Sequence, residues 1–515
     1  NFLTVGSWTM LSRVLGLIRD QLLAAFLGAG PVQDAYLVSL RLPNMFRRLF
    51  GEGAFNAAFV PMFTAKYETE GRTAALRFAG QALSALIAWL VILTVLCELF
   101  MPFIISILAP GFQGERFALA LTLTQITFPY MIMICAAALV SGVLNGLGKF
   151  GAASAAYLSF NIIGIAAIFL GAYVWHNVAF TSAWGVTISG IVQLGALYWA
   201  AHRAGVAPHL IRPSFSQDIR ALLRRMGPGL VGSGVTQMNL MVDTIISTRL
   251  PVGSPSILYF ADRINQLPLG VLGAAAGTTL LPLLTRHVAN KDRVSLHTSL
   301  NRALDYALLL TLPATVGLIA LAPSIMAGLF SYGHFTVADA MKSAQSLRAY
   351  ALGLPAFVLI KVFSPGFFAE GDTSTPVRIG FFTLALNLVL NLALYKPLAH
   401  VGPPLASTIA ALVNVAILAV LLRRRDVFKP DPRLKSRVTR IVGAAIMMGL
   451  WVAAAQKFVA PDLPNWHGVW RLGMLGALIV FGGMVYAISL DALKVVQLRD
   501  VAAALQTRIA RRRTR

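Results

Sequence analysis

Runs of about twenty apolar residues follow one another along almost the whole of this 515-residue chain, and twenty is the number a helix needs to cross the hydrocarbon core of a bilayer. Gly and Pro fall inside the runs, as membrane helices tolerate. Of the residues, 57% are hydrophobic and 12% charged, against about 25% charged in a soluble domain. The apolar-run criterion places about fourteen spans near 3–28, 33–64, 79–105, 117–145, 153–174, 179–202, 219–250, 256–287, 302–327, 340–368, 377–396, 403–424, 436–457 and 470–491. The expected fold is an all-α integral membrane protein. Its first run carries Arg13, Arg19 and Asp20, so it reads as a span and not as a cleavable signal peptide.

The net charge of +23 invites a nucleic-acid reading, but its distribution does not. Lys and Arg gather on alternate loops, above all in 203–225, in "RRRDVFKPDPRLKSR" from Arg423, and in the tail "RIARRRTR". That is a positive-inside bias, which puts both termini in the cytoplasm and makes anionic lipid, not nucleic acid, the partner of the basic runs. The two cysteines, Cys97 and Cys135, each fall inside an apolar run and read as packing residues.

The chain also repeats itself. "FVPMFTAKY" at 59–67 resembles "LLPLLTRHV" at 280–288, which aligns Pro61 with Pro282. Tyr36 and Tyr259, Pro102 and Pro323, Pro129 and Pro355, and Asn161 and Asn387 keep nearly the same offset, about 220–226 residues. Each copy holds six spans, an even number, so both insert with one orientation around an axis along the membrane normal. The expected organisation is two pseudo-symmetric six-helix lobes, 1–205 and 206–425. Two extra helices follow in 426–495, then a basic tail, 496–515.

Charge inside a span costs about 3 kcal/mol or more, so it faces a partner or a wet cavity. In the first span Arg13, Gly16 and Asp20 share a face, with Arg19 to its side. In the second, Asp34, Arg41 and Arg48 recur at steps of seven on one face, Arg47 adjoins Arg48, and Arg48 and Glu52 stand at i, i+4. The eighth span, repeat partner of the second, carries Asp262 and Arg263. For Asp20, Asp34, Arg48 and Glu52 a helix-binding ion pair and a role in a cavity are both open. Arg13, Arg19 and Arg263 sit in the opening spans of the two repeats, where a central cavity would be lined, and arginine binds phosphate bidentately while staying charged. A cavity lined this way suits an anion. Pro43, Pro268, Pro282 and the glycines Gly270, Gly273 and Gly277 interrupt the same helices and would supply hinges for rocking lobes.

Asp243 lies in the middle of the seventh span, with Asn239 one turn before it, and the eleventh span shows Asn387 and Asn391 one turn apart. A carboxylate and amide carbonyls are the hard oxygen ligands that an alkali cation takes. Burial could equally keep Asp243 protonated, with the asparagines bonding neighbouring helices.

"SRVLGLIRD" (12–20), "PNMFRRLFGEGAFNAAFVP" (43–61), "APGF" (109–112), "YFADR" (259–263) and "PGFFAEGDTSTPV" (365–377) resemble the signature stretches of the MurJ/MviN family, over nearly the whole chain. The resemblance implies a flippase that moves lipid II, the undecaprenyl-pyrophosphate-linked peptidoglycan precursor, from the cytoplasmic to the periplasmic leaflet of the bacterial inner membrane. It implies substrate-cavity roles for Arg13, Arg19, Asp34 and Arg263, and the family's second-span arginines and acid carry over onto Arg47, Arg48 and Glu52. It assigns the lipid tail to a groove on the last two helices, and sodium, as one coupling ion besides a proton, to the seventh and eleventh spans. No other cofactor follows from it, and cell-wall synthesis machinery would be a partner. Where some members carry an acid one turn after Arg263, this chain has Gln266.

Relatives with another cargo, a lipid-linked polysaccharide flippase or a cation-coupled exporter, share the wider superfamily. The basic cavity counts against a drug cation, and the 43–61 stretch against both. A membrane enzyme acting on lipid pyrophosphates would need a metal-binding acidic motif or a His–Asp set. The eight histidines fall mostly in loops or at span ends with no ligand spacing, so no enzyme is expected.

Overall fold

The computed structural model describes residues 2–49, 54–466 and 468–497, and every regular element among them is helical. The first half of the chain contributes α1 (Phe2–Leu27), α2 (Pro31–Ser39), α3 (Arg41–Phe46), α4 (Ala54–Thr69), α5 (Arg72–Leu99), α6 (Met101–Leu108), α7 (Gly114–Thr127), α8 (Tyr130–Gly146), α9 (Phe150–Ala156), α10 (Leu158–Tyr173) and α11 (Val178–Arg203). After these come α12 (Gln217–Thr248), α13 (Ser254–Ala289), α14 (Arg293–Phe330), α15 (Val337–Ala369), α16 (Ser374–Leu398), α17 (Gly402–Arg424), α18 (Pro432–Val459) and α19 (Gly468–Ala492). Taken with their short breaks, they fall onto the fourteen expected segments. Eight stretches among the described residues are long and apolar enough to cross a bilayer outright, and the chain is a multi-pass membrane protein.

Helix ends follow local chemistry. Asn177, Ser216, Asp292 and Asp431 each cap a helix by accepting a backbone N–H from three residues on. α1 stops at Gly28, which adopts φ +68° and lies against the backbone carbonyl of His334; a side chain there would be strained and would clash.

The second expected span, 33–64, is not one helix. It breaks at Leu40, passes through a π-helical turn at 47–49, and resumes as α4. A π turn takes an extra residue and rotates the helix beyond it. The break at Leu40 falls between Asp34 and Arg41, and Arg48 lies within the π turn, so their seven-residue spacing does not make one face: Asp34 is buried, Arg41 half-buried and Arg48 exposed.

The described residues form two compact units. The first runs to Ser256 and takes in Tyr332–Thr336; the second holds Ile257–Ser331 and the chain from Val337 on. α12, expected to open the second lobe, packs on α4, α5 and α6 in the first unit. The extended segment before it is pinned along α5. The backbone N–H of Ile211 donates to Ser84 Oγ (2.9 Å), Ser216 Oγ to Gln81 Oε1 (3.2 Å), and the Arg72 guanidinium to the Gly205 carbonyl. At the start of α12, Asp218 pairs with Lys66 of α4 at 3.1 Å.

In the first unit α8 is central. Its run of Cys135, Ala136, Ala137 and Ala138 is buried, and Gly142 and Gly146 lie against Phe59 and Phe63. Small residues let helices approach closely where lipid provides no hydrophobic drive. Phe55, Phe59, Phe63 and Phe78 stack at 5.3–5.8 Å beside them. In the second unit α15, the repeat partner of α8, packs between α14 and α17, with Gly353 against Thr408 and Gly366 against Leu422. The correspondence holds for this central helix and not for α12, which packs in the first unit.

α18 and α19 form a hairpin fixed to α14. Arg437 meets Asp305 at 3.0 Å, Tyr486 Oη donates to the Leu309 carbonyl at 2.7 Å, and Arg471 Nη2 donates to the Ser331 carbonyl at 2.9 Å. The apolar run of the last span predicts a uniformly apolar helix. Instead Arg471 is buried at its start, where Ser331 and Pro464 carbonyls take its protons.

Candidate functional site

The arginines of the first span occupy different surroundings. Arg13 is half-buried on α1. Arg19, one and a half turns on, curls back to its neighbour: Nη2 and Nε donate to Asp20 Oδ1 at 2.8 and 3.2 Å, and the guanidinium lies 4.9 Å from the Phe160 ring centroid. Its stem crosses Gly164 of α10 so closely that a Cβ there would sit 2.9 Å from Arg19 Cδ. Asn161, on the same helix, donates to the Ser12 carbonyl at 2.9 Å and ties α10 to α1. Asp20 therefore pairs with Arg19 of its own helix, not across two helices, and holds it with a charged hydrogen bond in a low dielectric.

Asp34 sits at the centre of a knot in the first unit. It is fully buried. Its Oδ2 accepts from Arg116 Nη2 at 2.5 Å and from the Gly253 N–H at 2.7 Å, while Oδ1 accepts from the Ser256 N–H at 3.0 Å and Ser256 Oγ at 2.5 Å. The carboxylate thereby caps the first turn of α13, where unpaired N–H groups and the helix dipole favour negative charge. Arg116 also lies over the Phe112 ring, 3.7 Å from its centroid. Sequence reasoning missed Arg116, which stands just outside the expected fourth span. The signal was there: it follows "APGF" by four residues, and a lone basic residue beside a recognisable motif is worth pairing with a lone acid.

Arg47 and Arg48 fall in the π-helical turn, the first half-buried and the second exposed. Glu52, their expected companion, lies outside the described residues. In the second unit Asp262 and Arg263 are half-buried on α13. Gln266 donates to Asp262 Oδ1 at 3.3 Å, so an amide one turn away serves this acid.

Asn387 and Asn391, 1% and 0% exposed, lie on α16 with Asn391 Nδ2 donating to both the carbonyl and Oδ1 of Asn387 at 3.1 Å. Thr383 continues the same face one turn earlier and accepts from Asn414 of α17 at 3.1 Å. This buried polar ladder, Thr383–Asn387–Asn391, is longer than the asparagine pair read from sequence. Asp243 is half-buried on α12. That helix belongs to the first unit and the ladder to the second, whereas the repeat in the sequence puts both in one lobe.

A family model described as "Lipid II flippase MurJ" matches residues 23–466. The chain is 40% identical over 470 residues to a probable lipid II flippase MurJ of Rhizobium meliloti (strain 1021), covering 90% of this chain and 86% of that protein. It is 32% identical over 497 residues to the lipid II flippase MurJ of Burkholderia cenocepacia, with 94% and 95% covered. Among solved structures, a lipid II flippase MurJ in an inward closed conformation superposes with a TM-score of 0.79 at 26% identity, over 98% of this chain and all of that one. An inward-facing multidrug transporter of the MATE family superposes with a TM-score of 0.72 at 16% identity over 82% of this chain, which is a likeness of fold.

Proposed function

Because the chain belongs to the MurJ family of lipid II flippases, we propose that it carries lipid II from the cytoplasmic to the periplasmic leaflet of the bacterial inner membrane, with both of its termini in the cytoplasm. The observation that carries this reading is the family match over residues 23–466, which takes in Asp34, Arg47, Arg48, Arg116, Asp262 and Arg263.

The cargo sets the physical requirement. The headgroup of lipid II is large and polyanionic, and it cannot pass through hydrocarbon unaccompanied. Arg13, Arg19 and Arg263 would hold the pyrophosphate. At about 4 Å and an effective dielectric near 20 each charge pair contributes about 4 kcal/mol before desolvation, and the guanidinium fork fits phosphate oxygens. Asp20 presets Arg19 for that contact. Arg47, Arg48, Glu52 and Asp262 would complete the polar path, and Asp34 would fix the start of α13 near its entrance. The polyprenyl chain is apolar and can stay in lipid, guided along the α18–α19 hairpin. Binding chemistry of this kind moves a molecule without breaking a bond in it. For energy coupling, sodium or a proton at Asp243, with Asn387 and Asn391 as further oxygen ligands, would reset the lobes while the membrane potential supports the cycle. Anionic lipid would hold the basic loops, and the cell-wall synthesis machinery would supply and consume the cargo.

Depletion of the resident flippase followed by complementation tests this reading, scored by lipid II accessible at the outer leaflet. The wild-type chain should restore accessibility. Accumulation of lipid II on the inner leaflet despite good expression would refute the assignment.

A further inference from the structure

Inside the first unit a cavity of about 10 Å3 is walled by Arg19, Tyr36, Phe160, Gly164, Ser182 and Val186. One water occupies roughly 10–15 Å3 measured this way, and it needs polar partners to stay. Two walls supply them. Ser182, on α11, is 2% exposed, and its Oγ has no hydrogen-bond partner among the described residues. A buried hydroxyl left in that condition is costly, and more so in the low dielectric of a membrane protein interior. Arg19 enters from α1 with five N–H donors on its guanidinium, and it gets there because position 164 carries no side chain.

We propose that this cavity is a water site and that Ser182 is a positioning residue for Arg19. The Ser182 hydroxyl and the Arg19 guanidinium share one bound water. Asp20 anchors one edge of the guanidinium by the bonds at 2.8 and 3.2 Å, and the water anchors it toward α11. Held on two sides, the fork keeps one orientation as substrate arrives, so less rotamer entropy is lost on binding. The water also hydrates the guanidinium where it lies beside Tyr36, Phe160 and Val186. This inference rests on the reading of Arg19 as a ligand of the lipid pyrophosphate.

Two measurements on the full chain in lipid nanodiscs test it. In X-ray hydroxyl-radical footprinting, a bound water is activated in place and oxidises its neighbours. Tyr36, 4% exposed, should be labelled in the wild type and several-fold less in Ser182→Val, whose added methyl groups fill the space, and in Ser182→Ala. In parallel, lipid II affinity should fall about tenfold in Ser182→Val, the loss of one charge-assisted hydrogen bond, with the maximal transport rate unchanged. In an Arg19→Ala background the same substitution should cost nothing further. Unchanged Tyr36 labelling in both Ser182 variants would overturn the water site. An equal affinity loss with and without Arg19 would overturn the positioning role. Wild-type lipid II binding by Arg19→Ala alone would instead refute the reading of Arg19 and with it the positioning role, while the labelling of Tyr36 would still decide whether the water is there.

Discussion

Arg116 Nη2 stands 2.5 Å from Asp34 Oδ2 although the two residues are 82 positions apart in the chain. The same carboxylate takes the Gly253 and Ser256 N–H groups and the Ser256 hydroxyl. One buried charge therefore binds α2, the first turn of α7 and the first turn of α13.

Asp34→Asn keeps the shape and removes the charge, which leaves the Arg116 guanidinium buried without its counter-ion. Breaking a buried pair from one side costs about 3–5 kcal/mol, so the variant should melt several degrees below wild type in detergent. Asp34→Asn combined with Arg116→Met should recover part of the loss, because no charge is then stranded. A single variant that melts like the wild type would show that the knot does not hold these segments.

The hairpin of α18 and α19 should behave as one body with α14. Tyr486→Phe removes one hydrogen bond, worth about 1 kcal/mol, and Asp305→Asn weakens a half-exposed ion pair, worth about 1 kcal/mol at most. Arg471→Leu should cost more, since its half-buried partners, the Ser331 and Pro464 carbonyls, lose the donor of a buried guanidinium. Hydrogen exchange in α18 and α19 should rise in all three and most in Arg471→Leu. A hairpin that exchanges like the wild type in every variant would mean that lipid contacts alone keep it in place.

His400, in the 3-10 turn between α16 and α17, bonds Gln345 Oε1 at 3.0 Å. Burial, and then the positive charge of Lys342, push its imidazole below the ordinary histidine value. A histidine whose folded value is depressed binds fewer protons folded than unfolded. Its contribution is fully present above the unfolded value, near pH 6.5, and is lost as pH falls from there through the folded value. Melting temperature should drop between pH 7.5 and pH 5.5 by a small step, on the order of 1 °C, for a half-exposed group. That step should vanish in His400→Gln, and an identical pH profile in the variant would exclude His400 as its source.

The helices were legible in the sequence and the contacts between them largely were not. Apolar runs mark where lipid confines the chain, so most span ends fell within a few residues of α1 to α19. The second span escaped because neither the break at Leu40 nor the π-helical turn at 47–49 leaves a mark in hydropathy, and with them went the common face of Asp34, Arg41 and Arg48. Asp34 was recognisable as a charge out of place, but nothing in its own neighbourhood names Arg116. Asn387 and Asn391 were legible as a pair by their spacing. Thr383 and Asn414 were not, because a threonine in an apolar helix usually satisfies itself on its own backbone. Ser182 carried no signal at all: its interest lies in the cavity beside it.

Coupling can be tested at Asp243. Melting temperature or transport, measured against sodium at fixed ionic strength and separately against pH, should respond in the wild type. The sodium response should disappear in Asp243→Asn, because an amide supplies less negative charge to a hard cation. If neither protein responds to sodium or to pH, coupling resides elsewhere in the chain.

Lipid II movement itself is the most direct measurement. Purified protein in liposomes carrying labelled lipid II should bring headgroups from the inner leaflet to an impermeant outside probe faster than empty liposomes do. Arg13→Ala, Arg19→Ala and Arg263→Ala should each insert normally and lose at least about tenfold in rate, the loss of one charged contact, and lysine at these positions should restore little for want of the bidentate fork. Wild-type rates in all three alanine variants would contradict the arginine-lined path, and no acceleration by the wild-type protein would contradict lipid II transport as its function.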